Sequence, residues 1–228
     1  MSQIVFDNVT KEYDPNVRAL DSVSFSIEPG EFLFLIGPSG AGKSTLIKML
    51  IREDVPSEGQ VLFNDQVLHD IPHESLPDLR RKIGVVFQDF KVLESKNVFE
   101  NVAVALDVVD APNYVINEVV PNVLGLVGLD DKSHRFPNQL SGGELQRLSI
   151  ARALAHEPDV LIADEPTGNI DPEAAEQILM ILDKINALGT TILMSTHDVS
   201  VVDRLKKRVL KLNKGKLVSD KKDAGYEE

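Results

Sequence analysis

"FLFLIGPSGAGKST", residues 32–45, is the stretch on which the fold turns. An apolar run of strand type meets a glycine-rich turn, and the turn opens a helical pattern, "KSTLIKML". Gly37 to Ser44 matches G-x-x-x-x-G-K-[ST] in that required context. The glycines let the backbone N–H groups of Pro38-flanked Ser39, Gly40, Ala41 and Gly42 wrap phosphate, and the helix N-terminus adds partial positive charge. Lys43 is placed to neutralise the β and γ phosphates of a nucleotide, the Ser44 hydroxyl to ligate Mg²⁺, and Thr45 closes the motif. A chance match in a chain of ordinary glycine content has a probability of roughly 1%, before strand and helix are demanded.

Outward from this loop, strand-like runs alternate with helical patterns, the signature of an α/β protein. "VSFSI" (23–27) alternates apolar and polar residues as a half-exposed strand does. "VLIAD" (160–164) and "TILMSTH" (191–197), like "FLFLIG" (32–37), are continuous apolar runs suited to central strands covered on both faces. Helical patterns follow at Lys43–Ile51, Pro172–Leu188 and Val199–Lys206. Between Gln88 and Glu157 the character changes. "NVFENVAVALDVV", "YVINEVVPNVLGLVGL" and "ELQRLSIARALA" are helical in period with no strand among them, punctuated at Pro112, Pro121, Gly125 and Gly128. The expectation is one domain over 1–228, with a helical lobe at about 89–157 inserted into the core. The tail "SDKKDAGYEE" reads as frayed.

Composition narrows the function classes. A chain of 228 residues can bury a full core. It has no cysteine, which excludes disulfides and thiolate metal sites. The start "MSQIVFDNVTKEYD" lacks the pattern of a secretion signal, and the richest apolar run, "VAVALDVV" (102–109), falls far short of a membrane span. The net charge of −12 disfavours a general nucleic-acid binder, whereas a nucleotide site needs only local amides and one or two cations.

Acidic and polar residues stand at the carboxyl ends of the apolar runs, the edge where open parallel sheets place ligands. Asp164 and Glu165 in "VLIADEP" are read as a Mg²⁺ holder acting through water and a general base for the attacking water. Without a phosphate loop in the same chain they would read equally well as two solvated acids. His197, after "MST", is placed to reach a γ-phosphate, although a lone histidine is more often structural. Gln88 follows "IGVVF" (83–87) at the edge of the helical lobe, where its amide could touch Mg²⁺ or the attacking water.

"LSGGELQR" (140–147) has two readings. One is a helix capping box, Ser141 as N-cap with Glu144 three residues on. The other is a second anion site, because a capping box does not require Gly142 and Gly143, whereas close approach of backbone to phosphate does.

The phosphate loop, Gln88, "LSGGELQR", "VLIADEP", "GNID" (168–171) and His197 occur in the order found in ATP-binding-cassette (ABC) ATPases, and the chain resembles that family over nearly its whole length. The resemblance implies a P-loop NTPase fold with a parallel central sheet, an N-terminal antiparallel β part and the inserted helical lobe. It implies ATP hydrolysis with Mg²⁺ held by Ser44, Gln88 and, through water, Asp164. Tyr13 sits where the family stacks an aromatic on adenine; as a single residue it reads equally as a surface tyrosine beside a turn. The family also implies a homodimer formed on ATP binding. In that dimer Ser141, Gly142, Gly143 and Glu144 face the partner's γ-phosphate, and Asn169 and Asp171 run along the seam. Within the family, "VVFQDFKVL" (85–93), "FPNQLSGGELQR" and "ADEPTGNIDP" resemble the FtsE cell-division branch. This implies an FtsX-like integral membrane subunit as partner, a peripheral place on the cytoplasmic face of the membrane, and a role in cell division and cell-wall hydrolysis. The lipoprotein-releasing and macrolide-exporting ATPases share "EPTGN" and are the alternative. "ESKNVFENV" (94–102) departs from the Pro-containing segment expected there, which bears on the membrane-subunit contact and not on hydrolysis. Soluble DNA-repair ATPases of the family carry coiled-coil or zinc insertions, which this chain lacks.

Overall fold

The computed structural model describes residues 2–14, 17–168, 170–222 and 225. In chain order the elements are β1 (Ile4–Asp14), β2 (Val17–Ile27), β3 (Phe32–Ile36), α1 (Lys43–Leu50), β4 (Glu58–Phe63), β5 (Gln66–Val67), α2 (Leu76–Arg81) and β6 (Ile83–Val86). They continue with α3 (Val98–Asp107), α4 (Asn113–Val127), α5 (Gly142–Leu154), β7 (Val160–Asp164), α6 (Pro172–Ala187), β8 (Thr191–Ser195), α7 (Val199–Leu205), β9 (Arg208–Asn213) and β10 (Lys216–Lys221). The chain divides into two compact units, Met1–Arg80 with Thr191–Glu228, and Arg81–Thr190.

The first unit holds an antiparallel sheet in the order β2-β1-β4-β5, and a second set in which β3 lies parallel to both β8 and β9 while β10 closes antiparallel on β9. Every residue of β3 and β8 is buried, as a continuous apolar run requires of a strand covered on both faces. β1 and β2 mix buried with exposed positions, and Phe6 stacks on Phe25 across them with ring centroids 4.6 Å apart.

The second unit pairs β6 with β7 in parallel, and no strand interrupts α3, α4 and α5 between them. Asn97 caps α3 with a full capping box. Pro112 is the N-cap of α4, and left-handed Gly128 ends it, whereas Pro121 and Gly125 lie inside that helix.

Three expectations need correction. The strand read at 23–27 runs from Val17, because its first half pairs with the outer part of β1. The apolar run at 191–197 leaves the strand at Ser195, so His197 stands two residues beyond it. Ser219–Lys221 are not frayed. They pair with β9, and the Asp220 carboxylate takes two 2.7 Å hydrogen bonds from the Arg208 guanidinium. Arg208 also donates to the Ser26 carbonyl and to Glu31, and the carboxylates of Asp220 and Glu31 push its pKa up; a bidentate, three-sided clamp of this kind cannot be seen in a polar tail sequence.

Candidate nucleotide site

In the first unit the phosphate loop joins β3 to α1. Gly42 is the N-cap of α1 at φ 108, a left-handed conformation that a side chain would strain. Gly37 has no room for one, since a Cβ there would lie 2.3 Å from the Leu212 carbonyl oxygen on β9. The half-buried Lys43 ammonium turns back into the loop and donates to the carbonyls of Gly37 at 2.7 Å and Pro38 at 3.3 Å. Pro38, Ser39, Gly40 and Ser44 are exposed, Ala41 is buried, and the N–H groups of the first turn of α1 have no acceptor inside the helix. Thr45 is buried, and the Tyr13 hydroxyl lies 3.5 Å from its Oγ1. The Tyr13 ring stays 52% exposed with the Lys11 ammonium 5.0 Å from its centroid, so the structure brings a half-open aromatic to the loop. His197 is exposed at the carboxyl end of β8, the same edge from which the loop leaves β3, because the two strands are parallel and in register at Leu35 and Ser195. Asp198 beyond it caps α7 by accepting from the Ser200 N–H at 2.9 Å.

In the second unit β6 and β7 are also parallel, with Val86 opposite Ala163. Gln88 and the pair Asp164–Glu165 therefore leave the same sheet edge. Glu165 has φ 48, a left-handed backbone for a residue with a side chain, and its carbonyl accepts from the Gly168 N–H at 3.1 Å. Strain of this kind costs about 1–3 kcal/mol and persists where the surroundings impose it. Gly168 explains part of the arrangement. A Cβ at 168 would lie 3.4 Å from Gln88 Nε2 and 3.7 Å from Glu165 Oε2, so amide and carboxylate converge on the space that glycine leaves open. Gly168 was legible only as part of "GNID"; nothing in the sequence pairs it with Gln88. Asn169 lies outside the described residues.

The signature segment forms the capping box expected of it. Ser141 accepts from the Glu144 N–H at 3.3 Å, and Glu144 Oε2 accepts from the Ser141 N–H at 2.7 Å. The other Glu144 oxygen pairs with Lys132, and that ion pair holds the carboxyl down to about 2. Ser141, Gly143 and Glu144 line a cleft of about 180 Å³ together with Arg147, Asp171, Glu173, Ala174 and Gln177. Asp171 is the N-cap of α6, accepting from the Ala174 N–H at 2.9 Å. Two helix N-termini thus open on one cleft, and Lys132 offsets the charge of Glu144 beside it.

Gly143 has a packing reason of its own, since a Cβ there would come within 2.5 Å of the Ala174 Cβ on α6. Close approach to phosphate is therefore not needed to explain that glycine. Gln146, not singled out by sequence, is fully buried on α5, and neither of its amide atoms has a partner among the described residues.

The Ser44 hydroxyl in the first unit, and the Gln88 amide oxygen and Asp164 carboxylate in the second, are each hard oxygen donors of the kind Mg²⁺ prefers. Among the described residues no group of three or more His, Cys, Asp or Glu could hold a metal.

The family model described as "ABC transporter" matches residues 20–168, which include the phosphate loop, Gln88, the signature and the acidic pair. This chain belongs to the ABC transporter family. It is an ABC-type ATPase with the α/β cassette fold. It is 50% identical over 223 residues to the cell division ATP-binding protein FtsE of Bacillus subtilis (strain 168), covering 98% of each chain. It is 48% identical to the FtsE of Mycobacterium tuberculosis (strain ATCC 25618 / H37Rv), covering 98% of this chain and 97% of that one. A solved dimer of the ATP-binding cassette MJ0796 in a post-hydrolysis state, bound to ADP and Pi, superposes with a TM-score of 0.85 at 33% identity, covering 98% of this chain and 100% of that chain. No helix among the described residues is long and apolar enough to cross a membrane.

Proposed function

We propose that this chain is the ATP-hydrolysing subunit of an FtsE–FtsX type complex, working as a homodimer on the cytoplasmic face of the membrane beside an FtsX-like integral membrane subunit and acting in cell division and the regulation of cell-wall hydrolysis. The observation that carries the reading is its near-full-length identity of about half to relatives named as cell-division ATP-binding proteins. The dimeric state of the similar MJ0796 cassette supports the pairing of two copies.

In this reading the loop 37–45 holds the phosphates through its amides and the Lys43 ammonium, and Tyr13 stacks on the adenine. Ser44, Gln88 and, through water, Asp164 would hold Mg²⁺, which would supply charge neutralisation at the phosphates. Glu165 accepts the proton of the attacking water, and His197 contacts the γ-phosphate. Ser141, Gly142 and Gly143 present helix N–H groups to the nucleotide of the partner copy, with Glu144 holding that turn in shape. Asn169 and Asp171 run along the seam.

The test is copurification from solubilised membranes. A tagged full chain should retain a multi-spanning membrane protein, and Phe90→Glu, which puts a charge in the apolar stretch Phe90–Leu93 that we read as the contact for that subunit, should release it with ATP binding intact. Recovery of the chain without any membrane protein, in the presence or absence of ATP, would overturn the membrane-complex reading while leaving the ATPase in place.

A further inference from the structure

The segment that follows β6 is the least regular part of the second unit, yet it is held firmly. Phe90 and Lys91 are consecutive left-handed residues at φ 58 and φ 52, and neither is glycine. The turn closes on a 2.6 Å contact from the Lys91 N–H to the Asp89 carbonyl. Two successive residues in this conformation need outside support. Support comes at two points. The fully buried Asn101 on α3 accepts from the Leu93 N–H at 2.8 Å and donates to the carbonyls of Leu93, Lys96 and Asn97 at 3.0, 2.8 and 3.0 Å, fixing the far end of the segment. The near end is held by Arg152, in the last turn of α5, whose Nη2 donates to the Phe90 carbonyl at 3.4 Å.

Arg152 is unusual in what it lacks. It is half-buried, and the burial it has pushes its pKa down. The Phe90 carbonyl is the one acceptor shown for it among the described residues. A half-buried guanidinium held by a single neutral carbonyl contributes little to a fold, since an apolar side chain of similar length would fill the space without the desolvation penalty. Its position explains it better. Phe90 is two residues from Gln88, and the Gln88 amide shares with the Glu165 carboxylate the space left open by Gly168.

We infer that Arg152 is a positioning residue for ATP hydrolysis: by holding the Phe90 carbonyl it fixes the left-handed turn that points the Gln88 amide at the space it shares with Glu165. The inference rests on the reading of Gln88 and Glu165 given above. It adds that the signature helix, whose other end carries Ser141, sets the attitude of Gln88.

The test compares four full-length proteins: parent, Arg152→Met, Gln88→Ala and the double variant. Turnover, ATP affinity and thermal midpoint are measured for each. Arg152→Met should lower kcat about tenfold, in line with what a small misplacement of a catalytic group does. Its ATP affinity should stay within about twofold of the parent, and its thermal midpoint should not fall. In the Gln88→Ala background the same substitution should change kcat by less than about twofold, because the group it positions is gone. Arg152→Lys, which keeps a donor, should recover part of the loss, and Arg152→Leu, which has none, replaces Arg152→Met throughout if that variant does not fold. Full multiplicative loss in the double variant, or parental kcat in a folded Arg152→Met protein, overturns the inference while Gln88 keeps its role. Parental kcat in Gln88→Ala overturns the reading of Gln88 itself, and the positioning role with it.

Discussion

The Gly143→Ala substitution separates two reasons for the glycine in the signature segment. The added methyl would stand 2.5 Å from the Ala174 Cβ, and neither atom can swing away, because both are fixed to helix backbone. Ordinary carbon contacts lie at about 3.5–4.0 Å, so the start of α5 must withdraw from α6 by about 1 Å. Overpacking of this kind costs about 1–3 kcal/mol. In a protein of this size each kcal/mol moves the thermal midpoint by roughly 2–4 °C, so the variant should melt roughly 2–12 °C below the parent. Adding Ala174→Gly removes the obstacle and leaves the new methyl facing the position-174 Cα at an ordinary 3.7 Å. The swapped pair should regain most of the loss, less at most about 1 kcal/mol for glycine in a helix. Since the methyl points at α6, the amides at the helix start return to place, and ATP turnover should return with the midpoint. A Gly143→Ala protein as stable as the parent, or a swap that restores nothing, would refute the packing argument. Stability regained without turnover would mean that the backbone at 143 must itself approach the nucleotide.

Glu165→Gln should retain ATP affinity and lose turnover, as the amide cannot take up a proton, and the protein should gather as an ATP-bound dimer by size exclusion; a monomer at high ATP would count against nucleotide-held pairing. A fused dimer carrying Lys43→Ala in one copy and Gly142→Asp in the other should hydrolyse ATP once per dimer if sites are shared between copies, and not at all if each copy uses its own signature. Gln146→Met should raise stability by about 1–3 kcal/mol by removing an unpaired buried amide of similar shape, and a lower midpoint would mean that internal water satisfies the amide. Lys132→Met should let the Glu144 carboxyl titrate closer to its ordinary value, with the Ser141 hydrogen bonds still holding it somewhat below. The folded-state pKa of Glu144 is depressed to about 2, so the pair's contribution, about 1 kcal/mol once solvent screening is allowed for, is present at neutral pH. It fades as pH falls from the ordinary 4.5 towards 2, and the gap between variant and parent in chemical denaturation should close over that window.

Strands that are apolar throughout were legible, because burial on both faces leaves a continuous run: β3, β7 and β8 lie where "FLFLI", "VLIAD" and "TILMS" place them. The helices α3, α4 and α5 were legible from their helical period, with Pro112 and Gly128 at the ends of α4. β4, β9 and β10 were not, since their charged and polar residues are held by partners distant in sequence, as Asp220 is by Arg208. The same distinction holds at the site. The phosphate loop, the acidic pair and the capping box are local patterns whose spacing carries their chemistry. Gly168 against Gln88, Gly143 against Ala174 and Arg152 against Phe90 are contacts across 80, 31 and 62 residues, and no spacing announces them.

Those distant contacts also change what the signature motif is. Read locally, "LSGGELQR" is a cap and a pair of glycines at the start of a helix. In the structure that helix is a rod of 13 residues, about 20 Å long, packed flush on α6 at Gly143 and ending at the guanidinium that holds the Phe90 carbonyl. A helix interior is stiff along its axis, because each turn is tied to the next by backbone hydrogen bonds. If Arg152 positions Gln88 as we infer, α5 joins Ser141, at the end proposed to face the partner's nucleotide, to the turn beside Gln88, and the kcat of Arg152→Met tests that connection.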